Sequence, residues 1–168
     1  VVNGEIYRGI LTGYNAAFVI DATTRQHLID QAPTSAEVIK PFLAGRDIKR
    51  YAQPEASKYI ILFKNGGTAE RFGELPEDKA EARMHEAFPA VMAHLHNHRT
   101  KARARYDQGQ YWWELRACDY YEAFERAKIV WPETSGDMQF TQVDPGIYLN
   151  KTTFNIPGDH LALLAVLN

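Results

Sequence analysis

The chain is poor in the residues that staple a fold, cradle a cofactor or enter a membrane. A single cysteine, Cys118, excludes an internal disulfide framework and fits a reducing, cytoplasmic compartment. No apolar run approaches the roughly 20 residues that cross a bilayer, so no membrane partner is expected. The amino-terminal VVNGEIYRG lacks a basic segment followed by an apolar one and does not read as a signal peptide. No two glycines are separated by exactly one residue, which removes the GxG turn of nucleotide and methyl-donor sites, and there is no GxxxxGK phosphate loop. No cofactor is expected. No two prolines are adjacent either.

What is present is globular. Hydrophobic residues make up 45% and charged ones 24%, with a 12% aromatic share that argues against disorder. At 168 residues the chain fits one domain, and chains of this size bury roughly 70% of their unfolded surface, enough for a core without staples. The net charge of -2 does not announce a nucleic-acid binder, but its distribution is uneven. Arg46, Lys49 and Arg50 face a single acid, Asp47, and Arg99, Lys101, Arg103 and Arg105 have no acid among them. From Ala69 to Ala87 acids dominate, which sets a positive surface against a negative one, or a set of solvated helix faces.

The segment 4–21 reads as two short strands around the Thr12–Asn15 turn. A helix follows, with Thr23 or Thr24 as its cap. Ser35 opens a second in which Val38, Ile39 and Phe42 recur before Gly45 stops it. Residues 59–64 form a buried strand. From Pro76 the period is helical, and Pro89 marks the first turn of a helix running to about Tyr106, ended by Asp107-Gln108-Gly109. KIVWP, FTQVD and YLNKTTFNI are strand-like, and Asp159 caps a last apolar helix. The expectation is an α+β fold, a single compact domain over 1–168 that is an excised part of a larger region.

The literal His94-rich stretch HLHNH is no nuclease motif, because that motif draws its letters from separated positions on a hairpin and a helix. His94 and His98 share a helix face at a spacing that can ligate zinc, but a site needs a third ligand and usually a nearby carboxylate, and no Glu lies between Phe88 and Glu114, so no metal is expected. Asp47-Ile48-Lys49 has the letters of a metal-dependent nuclease, a rival enzymatic reading. Otherwise no catalytic residue emerges. Trp112 and Trp113 are core or helix-covering residues that, being adjacent, cannot both face inward, or else they are stacking surfaces for bases.

Four phrases together resemble the TaqI-like target-recognition domain, which lies carboxy-terminal to the methyltransferase core of adenine-specific DNA methyltransferases and of fused restriction-modification enzymes. They are YRGILTGYNAAFVID with RQHLI, SAEVIKPFLAGRDIKRY, FPAVMAHL with KARARYDQGQYWWELR, and KIVWPE with LLAVLN. The second is the most specific. The chain lacks the adjacent prolines of the motif that holds a flipped adenine, in keeping with a recognition piece separated from the catalytic core. The resemblance implies that the chain reads double-stranded DNA, with the methyltransferase core of the same polypeptide as its second partner, and is not itself an enzyme. It points to Arg46, Lys49, Arg50, Lys101, Arg103 and Arg105 as DNA contacts, with Thr12 and Asn15 as loop contacts. A protein-docking module using the same basic helix is the other alternative.

Overall fold

The computed structural model describes residues 4–168; residues 1–3, the start of the stretch read above for a signal peptide, lie outside the described residues. In chain order the elements are β1 (Tyr7–Arg8), α1 (Asn15–Phe18), β2 (Val19–Asp21), α2 (Ala22–Gln31), α3 (Ser35–Val38) and β3 (Ile39–Leu43). A 3-10 turn (Gly45–Asp47) leads to β4 (Lys58–Ile61), α4 (Gly67–Phe72), α5 (Glu77–Ala87), α6 (Pro89–His96) and α7 (Arg99–Ala104). Then come α8 (Tyr121–Phe124), β5 (Lys128–Pro132), β6 (Thr141–Val143), β7 (Tyr148–Leu149), β8 (Thr153–Pro157) and α9 (Leu161–Leu167). The fold is α+β. Among the described residues no helix is long and apolar enough to cross a membrane.

The backbone gathers into two compact units. Unit 1 holds the residues up to Ile10, Pro41–Ser57 and Asp119–Asn168; unit 2 holds Leu11–Lys40 and Lys58–Cys118. Unit 1 is built on an antiparallel sheet in the order β1, β8, β5, β6. Alternation along β5 and β8 turns Ile129 and Ile156 into its core, and Tyr148 stacks on Phe124 with ring centroids 5.1 Å apart. Burial raises the Tyr148 hydroxyl pKa, and its bond to the Glu125 carboxylate adds to that. Lys128 is fully buried in β5, where its ammonium donates to the carbonyls of Phe124, Arg126 and Asp144. Burial pulls it down to about 8 against the opposing charges of Glu125 and Asp144.

Unit 2 pairs β2 with β4 antiparallel and packs α2 and α6 nearby, with Phe88, Val91, Met92 and Leu95 forming the buried stripe expected of α6. Phe63 and Phe88 rings meet at 5.4 Å. Helix α2 is capped by Asp21 rather than by a threonine: its carboxylate accepts from the Thr24 amide at 2.8 Å, and that bond holds the carboxyl below its ordinary range.

Several boundaries differ from the sequence expectation for identifiable reasons. The helix opened by Ser35 ends at Val38, and Ile39–Leu43 is a strand, because Pro41 has no amide to donate and biases Lys40 away from helical angles. In unit 1, β3 pairs parallel to β7 through Phe42 and Leu43. Where a second strand was expected after the Thr12–Asn15 turn, α1 intervenes, favoured by two alanines and opened by an Ala17 amide bond to Tyr14 O at 3.2 Å. The long basic helix is interrupted at Asn97-His98, whose side chains favour turns, so α7 is a separate short helix. Asp159 does not cap α9; it accepts from Gln142 Nε2 at 3.3 Å, and His160 occupies the cap position.

One close approach fixes unit 1. Gly9 is buried beside Asn150, and a β-carbon there would collide with the Asn150 carbonyl while the Gly9 amide donates to Thr153 O at 2.9 Å. Gly9→Ala is expected to destabilise the chain by about 2 kcal/mol or more, as overpacking does. Gly136→Ala, where a β-carbon meets only open space, should change stability by less than about 0.5 kcal/mol. Chemical denaturation of the two variants checks this.

Candidate nucleic-acid interface

In unit 1 the phrase AGRDIKRY forms a rigid turn that displays its cations. The Asp47 carboxylate accepts from the Ala44 amide at 2.8 Å, the Asp47 amide donates to Ala44 O at 2.9 Å, and the Gly45 amide donates to Thr152 Oγ1 at 3.1 Å. Ile48 is fully buried and anchors the turn. Arg46, Lys49 and Arg50 consequently point away from the core, and all three are exposed. Arg46 lies 3.8 Å from the Asp47 carboxylate, but its side chain is 78% exposed, so this long contact does not immobilise it. Arg50 donates to Asn168 O and covers the ring of Tyr51 at 5.2 Å.

Beside Arg46 opens a cleft of about 420 Å³ lined by Pro132, Glu133, Thr134, Gln139 and Thr152 among others. Its rim mixes the Arg46 cation and hydroxyl and amide groups, side-chain types that meet phosphates and base edges, with the Glu133 carboxylate, which Arg8 answers. Tyr51, which sequence reasoning passed over, is 60% exposed and the one non-glycine residue with positive φ among the described residues, at 54°. Such a conformation is costly for an aromatic residue and recurs at functional sites. The only signal in the sequence was an aromatic residue following a basic pair.

In unit 2 the basic stretch is arranged differently. Arg105 is 7% exposed; its guanidinium donates to the carbonyls of Thr12 at 3.3 Å, Trp112 at 3.1 Å and Glu114, and lies 4.1 Å from the Phe18 ring centroid. Burial lowers it to about 10, with Asp107 opposing, so it stays charged at neutral pH. Its place is internal, holding the 105–114 loop to the Thr12 turn. Arg103 pairs with Glu77 at 2.7 Å and Arg99 with Glu81 at 2.8 Å, so the acids of α5 answer two cations of α7. Lys101 is exposed, and it borders a cleft of about 300 Å³ with Tyr14, Asn97, His98 and Thr100.

Thr12 is buried too. Its hydroxyl donates to Asn15 Oδ1 at 2.5 Å, which makes it a turn-former, while the Asn15 side chain is exposed. Gly13 takes φ of +70° in that turn, and a β-carbon there would crowd Asp107 and Arg105. Thus Arg46, Lys49 and Arg50 are brought together in unit 1. Lys101 and Asn15 belong to unit 2 with the internal pair Thr12 and Arg105.

Trp112 and Trp113 are both buried, contrary to the expectation that neighbours must alternate. They sit on an irregular loop, not a strand, and their rings meet edge to face at 84° and 5.5 Å. Trp113 Nε1 donates to Thr68 Oγ1 at 2.9 Å, and Tyr111 stacks on Trp113 at 4.8 Å. Neither indole is available to stack on a base. His94 and His98 face each other at 5.3 Å, but His94 Nε2 is engaged with Ala17 O at 3.1 Å.

No family model and no curated protein matches the chain. Among solved structures it is similar to part of the Type IIL restriction-modification enzyme MmeI in complex with DNA, with 12% sequence identity and a TM-score of 0.55. The alignment covers 96% of this chain and 20% of that one, so the chain spans a minor part of the enzyme's length, and at this identity the likeness is one of fold.

Two outcomes test the internal roles. Arg105→Ala orphans three carbonyls and should lower stability by about 2–4 kcal/mol, whereas Lys101→Ala should shift it by less than about 0.5 kcal/mol; urea unfolding compares them. Burial lowers the His94 pKa, with His98 contributing and the Ala17 carbonyl opposing. The unfolded chain therefore binds the extra proton first as pH falls, so the stability His94 contributes is present above about pH 6.5 and is lost below it. The drop in denaturation midpoint between pH 7.5 and 5.5 should be smaller in His94→Gln.

Proposed function

We propose that this chain is a DNA target-recognition module of a restriction-modification adenine methyltransferase, of the TaqI-like kind, and that it reads double-stranded DNA without carrying the chemistry itself. The observation that carries this reading is the turn at 45–50. Its backbone is locked by Asp47 and Ile48 while Arg46, Lys49 and Arg50 stand exposed, Arg46 at the edge of a polar cleft. A rigid base with exposed cations is what phosphate positioning and base-edge reading need. The fold likeness to part of a restriction-modification enzyme solved with DNA supports the same reading. So do the family phrases, of which SAEVIKPFLAGRDIKRY supplies this turn.

In this reading Arg46 and the polar rim of the cleft contact base edges, Lys49, Arg50 and Lys101 contact phosphates, and Asn15 is a loop contact. Arg103 reaches DNA only by leaving Glu77, and Arg105 and Thr12 act indirectly by shaping the Asn15 turn. The target adenine is extruded into a pocket of a separate methyltransferase core, the second partner in the same cytoplasmic polypeptide, because a base inside the duplex is out of reach of methyl transfer. The Asp47 carboxylate, the acid of the nuclease-like triplet, works here as a backbone clamp.

Labelled duplex titrated at several salt concentrations tests the reading. Each neutralised phosphate contributes about -0.9 to the log-log slope, so three phosphate contacts give a slope of about -2.7. Lys49→Glu with Arg50→Glu should weaken binding to all sequences and flatten the slope by about 2, and Arg46→Ala should relax site preference. Binding that is undetectable at low salt for both the chain and the intact polypeptide sinks the proposal.

A further inference from the structure

We propose that Glu81, His85 and His96 form a binding site for a divalent transition cation of the zinc class. Glu81 and His85 stand one turn apart on α5 and so share a face, and His96 closes α6, which packs against α5. One donor atom from each of the three residues lies within 4.8 Å of the other two. In sequence the pair His94 and His98 has no glutamate nearby between Phe88 and Glu114; the fold instead pairs a histidine of α6 with a Glu-x-x-x-His face on α5.

The donor set selects the ion. Two imidazole nitrogens and one carboxylate oxygen suit zinc and its neighbours, whereas calcium and magnesium prefer oxygen throughout. Around a tetrahedral zinc, with bonds of about 2.0–2.2 Å, donors stand about 3.3–3.5 Å apart. Glu81 Oε1 is already 3.6 Å from His96 Nδ1. The rings of His85 and His96 are 6.1 Å apart at 62°, and both are at least partly exposed, so side-chain rotation closes the remaining gap without moving the helices.

The carboxylate is also held ready. Its Oε2 accepts from Arg99 at 2.8 Å, which leaves Oε1 on the histidine side as a single ligand oxygen. Hydrogen bonding of a ligating carboxylate by an outer partner is the usual way such groups are oriented. The positive Arg99 opposes a dication, which moderates affinity and distinguishes this site from a closed structural centre. Three protein ligands leave a fourth position on the exposed side, which water fills. A bound ion ties α5 to α6.

The test is calorimetric titration of the metal-stripped chain with zinc chloride, paired with cobalt(II) absorption as a reporter of coordination. One ion per chain and a visible cobalt band of tetrahedral intensity are expected. His85→Ala and His96→Ala should each weaken zinc binding by at least roughly tenfold, and His98→Ala should leave it unchanged. His85→Gln, with circular dichroism on every variant, guards against misfolding as the cause. Absence of saturable binding, or binding that survives His85→Ala and His96→Ala, or binding that His98→Ala abolishes, overturns the proposal.

Discussion

Two buried charges hold unit 2 in the shape on which its surface depends. Glu114 is fully buried, and its carboxylate accepts from the amides of Gly66, Thr68 and Gln110 at 2.9–3.0 Å. It thereby satisfies donors at the start of α4 that no local side chain caps. Arg105 does the complementary task with carbonyls, drawing Thr12, Trp112 and Glu114 to one guanidinium. A buried charge left unpaired is costly, so each group is tolerated only because the loops arrive with their backbone groups aligned to it. The aromatic loop 111–113 is fixed by the same arrangement, with Trp113 bonded to Thr68.

That arrangement alters how the basic stretch is read. Four cations in seven residues look like one electropositive face, yet they have three different environments. One is internal, two are answered by α5, and Lys101 is exposed at the edge of the Tyr14 cleft. The Arg103–Glu77 pair is exposed, and such pairs contribute little to stability and are screened by salt. Arg103 thus remains a side chain that a stronger anion competes for, whereas Arg99 is bound to the buried Glu81 and Arg105 is internal. In unit 1, by contrast, Asp47 serves the backbone and Arg46, Lys49 and Arg50 are all exposed to solvent.

Much of the fold was legible from the residues. The apolar stripe from Phe88 to Leu95, the strand at 59–61, the Gly13 turn and the strands of KIVWP and TTFNI follow from periodicity and turn chemistry. Errors fell where local rules compete. Pro41 converts the end of a helical pattern into a strand, Asn97 and His98 split a helix, and an irregular loop lets Trp112 and Trp113 both turn inward. That Arg46, Lys49 and Arg50 gather on one turn was legible, because a turn flanked by cations is a local pattern. Tyr51 and the Glu81, His85 and His96 cluster were not.

The sequence by itself determined the α+β content, the lack of disulfide or dinucleotide motifs, and where charge of each sign accumulates, because these depend on residue type and spacing within a few positions. Only the tertiary structure decided which charges are on offer. Arg105 meets Thr12 across 93 positions and Arg99 meets Glu81 across 18, and those partners are chosen by packing of elements. Burial then sets the strength of each contact, since a charge withdrawn from water must be answered by whatever the fold has placed within bonding distance.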